Sequence, residues 1–295
     1  MLPNYSILHK QDIFITEKYE PDIRRDELSF LSRSFERHFN ERPYLHHACY
    51  LFLTKTTKER SRQQSNWNTL CRGFLVPKEI RDKETVERFM EAVGQFESIV
   101  NDSGLIRLER LTTEEITGTE NEPGIIERYL TLSADGTTML QDMQLNPDEM
   151  RIGDKRLCLH TLSDLDDLPG KVKTDGRYER LSTDRSDCRL SYAAPVGVML
   201  PCDHIYNQWI FIDDSNENLS RFEKAAKNMQ SLSRYSRSNQ INKEWLHEYL
   251  NEAHTNGLQS VRCHCNIIAW AENGDELRRV KNDVGSALAL MECTP

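Results

Sequence analysis

The run Cys49-Tyr-Leu-Phe-Leu-Thr54 decides how the first part of this chain folds. It is continuously apolar and rich in aromatic residues but too short for a buried helix, so it predicts an interior β-strand. Upstream, apolar residues between Leu28 and Phe39 recur at helical spacing, and this helix is expected to end before Pro43 because the residue preceding a proline avoids the helical region. The mixed segment Tyr5 to Thr16 predicts an earlier strand. The order therefore begins strand, helix, strand.

Downstream of that run the pattern continues with a strand, a helix and a strand. Leu70 to Val76 is strand-like, and Leu105 to Leu111 alternates between apolar and polar residues. Between them, Asp82 can cap a helix that Gly104 ends. Its apolar stripe consists of Val86, Phe89, Met90, Val93, Phe96 and Val100. We therefore expect an α+β protein whose first half has the ferredoxin-like βαββαβ order, with two helices on one face of an antiparallel sheet.

The middle of the chain differs in composition. From Glu109 to Glu149 there are ten acidic residues but only two arginines, and prolines and glycines interrupt any periodicity. This composition predicts an acidic connector with short strands. We accordingly expect a ferredoxin-like domain over residues 1–112, the connector over 113–176, and a second, larger α+β part with a mixed or antiparallel sheet over 177–295.

The remaining elements follow from periodicity and from residues that favour caps and turns. Helices are expected after a cap at Asp214 or Ser215, again up to Asn256-Gly257, and near the end of the chain around Leu277 to Leu288. The predicted strands are Ile125 to Leu132, Arg151 to Leu162 with a Gly153-Asp154 turn, Cys188 to Leu200, His204 to Ile212 and Val261 to Trp270.

Composition restricts the class of protein. The chain has 38 basic and 47 acidic residues, net −9, which argues against a broad nucleic-acid footprint because phosphate binding needs a dominant positive face. Its eight cysteines are scattered through apolar runs, which favours a reducing cytoplasm over a disulfide scaffold. No apolar stretch reaches the roughly 18 to 20 residues that cross a bilayer, so no integral membrane segment is expected.

The motifs of common catalytic and cofactor sites are missing from the sequence. Gly170-Lys171 is followed by Val172, so the phosphate-binding loop of nucleotide triphosphatases is absent, and the dinucleotide and hydrolase motifs are absent too. We therefore expect no enzyme activity of this chain, no cofactor and no metal. Cys263-His264-Cys265 lies on a predicted strand, where neighbouring side chains point to opposite faces, so the three residues are not expected to bind one metal ion. Because free cysteines are commonly buried, the two cysteines are expected in the core. The aspartates around Asp164 and at Asp213 and Asp214 are expected to be turn and cap residues.

Two charged segments are the best candidates for contact with a partner. The stretch 177–187 holds six formal charges in eleven residues, which either form an ion-pair lattice or present a recognition surface. Its candidate contact residues are Arg180, Asp184, Arg185 and Asp187. The second candidate is a positive ridge on a helix, formed by Arg221, Lys224 and Lys227 at one-turn spacing. The nearby aromatic residues Tyr235 and Trp245 continue apolar stripes and are expected in the core.

Long segments of the chain resemble one family. These segments are Ser29–Tyr44, Tyr50–Arg60, Asn146–Asp154, Arg177–Pro195 and Asn239–Trp245. They are similar to the N-terminal region of the TraG conjugation proteins carried by Bacteroides conjugative transposons, relatives of the ATPases of type IV secretion. In that family a C-terminal motor with the nucleotide loop follows. The chain ends at Pro295 before any motor begins and its start looks internal, so we expect an excised fragment.

The resemblance implies a non-catalytic assembly and docking role. The expected partners are other subunits of the conjugation channel and the chain's own C-terminal ATPase domain, with a homo-oligomer as a further option. The expected location is the cytoplasm, peripheral to the inner membrane in the full assembly. None of the family's nucleotide-binding residues has a matching position here.

Two other functions stay open at the level of sequence. One is a stand-alone metal-dependent hydrolase that uses Cys263, His264 or the Asp164 cluster. The other is a single-stranded DNA-binding module that uses the basic ridge, against which the net negative charge argues.

Overall fold

The computed structural model describes residues 2–19, 29–40, 42–58, 81–120, 123–127, 132, 142–146, 150–161, 167–169, 176–179 and 181–293. Within these ranges the strands are β1 (Ser6–Lys18), β2 (Pro43–Lys55), β3 (Met143–Leu145), β4 (Met150–Ile152), β5 (Lys155–Thr161), β6 (Gly176–Arg177), β7 (Arg189–Leu190), β8 (His204–Ile212) and β9 (Val261–Ala271). The helices are α1 (Phe30–Phe39), α2 (Lys83–Asp102), α3 (Thr113–Thr117), α4 (Ser215–Leu232), α5 (Arg237–Asn256) and α6 (Gly274–Leu290), and a 3-10 turn covers Ala194–Val196.

One seven-stranded sheet, in the order β2-β1-β8-β9-β5-β4-β3, organises these elements. Strand β3 pairs antiparallel with β4, β4 with β5 and β5 with β9, and Cys158 of β5 lies opposite Ala269 of β9. A tight turn at Gly153, which has a positive φ of 57°, joins β4 to β5. Because that left-handed conformation favours glycine, the sequence at this turn fixes the register of the hairpin.

Residue contacts divide the chain into two units. The first unit comprises Met1–His9, Leu51–Glu109 and Trp209–His264, and the second comprises Lys10–Tyr50, Arg110–Gln208 and Cys265–Pro295. Four strands, β1, β2, β8 and β9, contribute residues to both units. The domain boundaries expected after residues 112 and 176 stay a prediction.

Two apolar clusters form the core of the second unit. In one, α6 packs Val284 and Leu288 against strand residues that include Cys158 and Ala269. The other surrounds Trp270 and contains Ile13, Leu132, Ile152 and Ile205. Since side chains alternate between the two faces of a strand, neighbouring residues such as Ala269 and Trp270 belong to different clusters.

The structure confirms the α+β class and gives a mostly antiparallel sheet. Helices α2, α4, α5 and α6 and strands β1, β2, β8 and β9 form where they were expected, with boundaries that differ by a few residues at several ends. The turn at Gly153-Asp154 also forms. Periodicity and caps are local signals, so they locate elements well.

The ferredoxin-like order of the first half is wrong in its last strand. Leu105 to Leu111 alternates in sequence but forms no strand, and β1 pairs with β8 in the common sheet. The predicted strand Leu70 to Val76 lies outside the described residues. Alternation predicts a strand only where a neighbouring strand can accept its hydrogen bonds, and no local signal reports that neighbour.

Two further strand predictions are wrong. In the segment Cys188 to Leu200 only the two residues of β7 are extended, and a 3-10 turn begins at Ala194, where Pro195 fits the start of a helical turn. In the segment Ile125 to Leu132, residues 125–127 are helical.

Candidate functional site

The charged segment between residues 177 and 187 belongs to a small β-hairpin formed by β6 and β7. We call residues 176–190 the charged hairpin. Its turn is fixed by Ser182, whose hydroxyl donates to the carbonyl of Tyr178 (2.7 Å) and accepts from the backbone N–H of Cys188 (3.0 Å). These bonds hold the loop closed independently of its charges.

Ion pairs cross the base of the charged hairpin. The Asp187 carboxylate lies 3.4 Å from Arg177 Nε and 3.7 Å from Arg189 Nη2. Because all three side chains are solvent-exposed, these pairs add little stability. Asp184 and Arg185 are exposed at the turn, whereas Arg180 lies outside the described residues. The ion-pair lattice therefore accounts for Asp187, and the contact role of these residues stays a prediction.

The second candidate surface lies on helix α4. Arg221, Lys224 and Lys227 are all exposed on this helix. The helix begins where it does because the Asp214 side chain accepts hydrogen bonds from the backbone N–H groups of Asn216 (3.0 Å) and Glu217 (3.2 Å). The cap fixes where α4 begins, and packing against other elements decides which of its side chains face solvent.

Helix α4 packs against α5, and we call the two helices with their connecting loop the helical hairpin. Phe222 and Tyr249 meet edge to face with ring centroids 5.3 Å apart. Ala226, Leu250 and Ala253 are buried. These small and apolar residues occupy the inner faces of the two helices, so the cations of α4 are left on its outer surface.

Large apolar and basic side chains lie together at the closed end of the helical hairpin. We call residues 232–245 the hairpin tip. Tyr235 is 85% exposed and Trp245 is 57% exposed, so the expectation that both belong to the core is wrong. Arg234 and Arg237 are exposed beside them, and the tip lines a depression that includes Ile241. Burial was predicted for both aromatic residues because they continue apolar helical stripes. Such a stripe does not reveal whether the core or solvent lies against it.

Among the described residues, those proposed for a metal or hydrolytic site do not converge. Within the described ranges, no group of three or more His, Cys, Asp or Glu side chains is placed to hold a metal ion. Cys263 and His264 are exposed, and the His264 ring packs against Trp209 at 5.4 Å. The core placement expected for Cys263 is therefore wrong, since this end of β9 has both faces exposed.

The aspartates at the end of β8 have structural roles. Asp213 is buried and forms a two-point ion pair with Arg262, with Nε 2.5 Å and Nη2 3.1 Å from its carboxylate oxygens. Asp214 caps α4. The cap interpretation is confirmed for Asp214, whereas Asp213 forms a buried ion pair instead. Of the cluster Asp164, Asp166 and Asp167, only the last lies among the described residues.

The structure brings together a polar cluster that sequence reasoning missed. Asp12 on β1 is buried, and its carboxylate lies 2.9 Å from His47 Nε2 on β2. Lys10 Nζ also donates to this carboxylate, and the Cys49 thiol lies beside it. We call Lys10, Asp12, His47 and Cys49 the Asp12 cluster. A recognisable signal was present, since each strand supplies two polar residues at the two-residue spacing that places them on one face.

The electrostatics of the Asp12 cluster favour structure over catalysis. Burial opposes ionisation of Asp12, but hydrogen bonds from Lys10 and His47 outweigh it and lower the pKa of this carboxyl. Desolvation and the Asp12 charge raise the pKa of the Cys49 thiol to about 11, although the residue keeps solvent-exposed surface. A cysteine nucleophile requires the thiolate, which a neighbouring cation stabilises and a carboxylate destabilises. Cys49 is therefore a protonated thiol that hydrogen-bonds to the buried carboxylate.

Comparison with models of protein families and with curated proteins finds no match to this chain.

Proposed function

We propose that this chain is a non-catalytic docking region of a conjugative-transfer machine of the type IV secretion kind. The observation that carries the proposal is the exposure of Tyr235 and Trp245 beside cations on the helical hairpin. The resemblance of long segments to the N-terminal region of TraG proteins supports the choice of machine. A location peripheral to the inner membrane belongs to this proposal, and within the described residues no helix is long and apolar enough to cross a bilayer.

The composition of the helical hairpin suits a protein partner. Tyrosine, tryptophan and arginine are the residues that most often dominate the energetics of protein interfaces. Arg221, Lys224 and Lys227 extend this surface along α4 with positive charge, which steers an acidic partner toward it. We therefore expect the partner to be a channel subunit, or the ATPase domain that follows in this family, with an acidic surface around an apolar pocket.

A charge-reversal experiment tests the proposal. Lys224→Glu/Lys227→Glu should weaken binding to a channel subunit at least about tenfold, because two attractive charges become repulsive. Tyr235→Ala should do the same by removing an aromatic contact, for which losses of about 1 to 4 kcal/mol are typical. Affinity is measured by biolayer interferometry with purified cytoplasmic segments of the channel subunits.

A matched control separates a specific surface from general charge. Arg278→Glu/Arg279→Glu makes the same charge change on exposed positions of α6. Equal losses for both double variants, or unchanged binding in the α4 variant, would contradict docking through the helical hairpin.

Single-stranded DNA binding is the second candidate for the same surface. Exposed aromatic rings beside arginines are also the arrangement on which unstacked bases pack. Binding of a labelled oligothymidine that falls steeply with salt, and that Tyr235→Ala weakens, would favour this function over protein docking.

A further inference from the structure

A cavity of about 210 Å³ lies in the second unit, between the sheet and the end of α6. We call it the His160 cavity. Its exposed lining residues Leu159 and Thr161 give it a route to solvent. The full lining consists of Leu159, His160 and Thr161 of β5, Val196, Tyr206 of β8, Cys265, Asn266 and Ile267 of β9, and Leu288 and Met291 at the end of α6.

The His160 cavity contains a polar atom that needs a partner. His160 lies opposite Ile267 in the register of β5 and β9. Its Nε2 atom is buried, and none of the described residues forms a hydrogen bond with it. Burial and the nearby charge of Lys281 lower the pKa of His160, so its imidazole is neutral at pH 7. A buried polar atom without a partner costs free energy, which a ligand with a matching group recovers.

The rest of the lining favours an uncharged ring. Val196, Ile267 and Leu288 are buried apolar walls, and Tyr206 adds a buried aromatic ring. The described lining residues include no lysine, arginine, aspartate or glutamate, so a charged ligand would lose its hydration without gaining an ion pair. An apolar cavity of about 150 Å³ holds benzene, so this larger cavity has room for one benzene ring with small substituents.

We propose that the His160 cavity binds a small, uncharged, monocyclic phenol, whose hydroxyl forms a hydrogen bond with His160 Nε2. A neutral imidazole carries its hydrogen on either nitrogen, and a hydroxyl both donates and accepts, so a phenol matches both tautomers. The ring of the ligand packs among Val196, Ile267 and Leu288. These residues are distinct from those of the helical hairpin, so the site does not depend on the function proposed above.

Two ligands of nearly equal shape test the proposal on the intact chain at pH 7. They are p-cresol and p-xylene, which differ by a hydroxyl in place of a methyl group. The more apolar p-xylene leaves water more readily, so a purely apolar cavity would prefer it. We expect p-cresol to bind at least about fivefold more tightly, because only its hydroxyl satisfies the buried nitrogen. Titrations followed by NMR measure both affinities.

A variant without the imidazole localises the hydrogen bond. His160→Leu keeps an apolar side chain in the wall and removes the nitrogen, so p-xylene should become the tighter ligand. His46→Leu makes the same change at an exposed position on β2, outside this lining, and should keep the preference for p-cresol. Circular dichroism checks that both variants fold.

Cys265 gives a second measurement that needs no variant. Because this residue lines the cavity, saturating p-cresol should slow its alkylation by iodoacetamide at least about fivefold. Cys188 is partly exposed and lies outside the lining, so its alkylation rate should not change. Peptide mass spectrometry of timed samples gives both rates.

Four results would overturn the proposal. Tighter binding of p-xylene to wild type would show a purely apolar cavity, and binding of neither ligand would show a cavity that holds only water. An unchanged preference in His160→Leu, or equal slowing at Cys265 and Cys188, would place the ligand elsewhere. Tighter binding of N-acetyl-tyrosinamide than of p-cresol would instead assign the cavity to a tyrosine side chain of another protein.

Discussion

At the scale of single residues, the most informative side chain is Asp12. It is a buried carboxylate that gathers hydrogen bonds from Lys10 and His47, and its pKa is lowered as a result. A buried charge with partners is costly to disturb, because removal of one partner leaves the others unpaired. The Asp12 cluster therefore connects β1 to β2 chemically as well as through the backbone.

Replacing this carboxylate should lower stability. We expect Asp12→Asn to reduce the free energy of unfolding by about 1 to 3 kcal/mol at pH 7, because it removes the charge that pairs with Lys10 and His47. Urea unfolding at equilibrium measures the loss. The same change at Asp184, which is exposed at the turn of the charged hairpin, should cost less than about 0.5 kcal/mol.

The stability that Asp12 contributes should depend on pH. Because the folded state lowers the pKa of this carboxyl, its contribution is present above the unfolded pKa of about 3.9 and is lost as the pH falls through the folded value. The stability difference between wild type and Asp12→Asn should therefore shrink from about pH 4 downward. A difference that stays constant between pH 7 and pH 3 would rule out this linkage.

The Cys49 thiol should react slowly despite its exposure. With a pKa of about 11 it is almost entirely protonated at pH 7, so alkylation by iodoacetamide should be about a hundredfold or more slower than for an ordinary free cysteine. Asp12→Asn should accelerate the reaction, because it removes the negative charge beside the sulfur. Peptide mass spectrometry of timed samples gives the rate at Cys49, and a rate unaffected by Asp12→Asn would show that the carboxylate does not control the thiol.

At the scale of elements, local signals explain where helices begin but not what they face. The start of α4 follows from the cap that Asp214 provides, and α5 ends at Gly257, which has a φ of 61°. Both were predictable, since caps and left-handed glycines are properties of short stretches of sequence. The exposure of side chains on α2 and α5 was not predictable, because an apolar stripe has the same sequence pattern whether or not the core covers it.

The cap of α4 gives a prediction at this scale. Asp214→Ala should lower the free energy of unfolding by about 1 kcal/mol, because two backbone N–H groups lose their acceptor. Asp214→Ser keeps an acceptor and should recover most of that stability. Thermal and urea denaturation compare the variants, and an alanine variant as stable as the serine variant would contradict the capping role.

At the scale of the whole molecule, one seven-stranded sheet organises the described residues. The helical hairpin presents Tyr235 and Trp245 beside exposed arginines, and this is the surface proposed for docking.

The sequence by itself determined the α+β class, the long helices with their caps, and the strands β1, β2, β8 and β9, because periodicity and capping are local. Only the tertiary structure decided that β1 pairs with β8, that Leu105 to Leu111 has no strand partner, and that Asp12, His47 and Cys49 meet. It also decided that Tyr235 and Trp245 face solvent. The physical reason is that strand pairing and burial depend on residues distant in sequence, which no short pattern specifies.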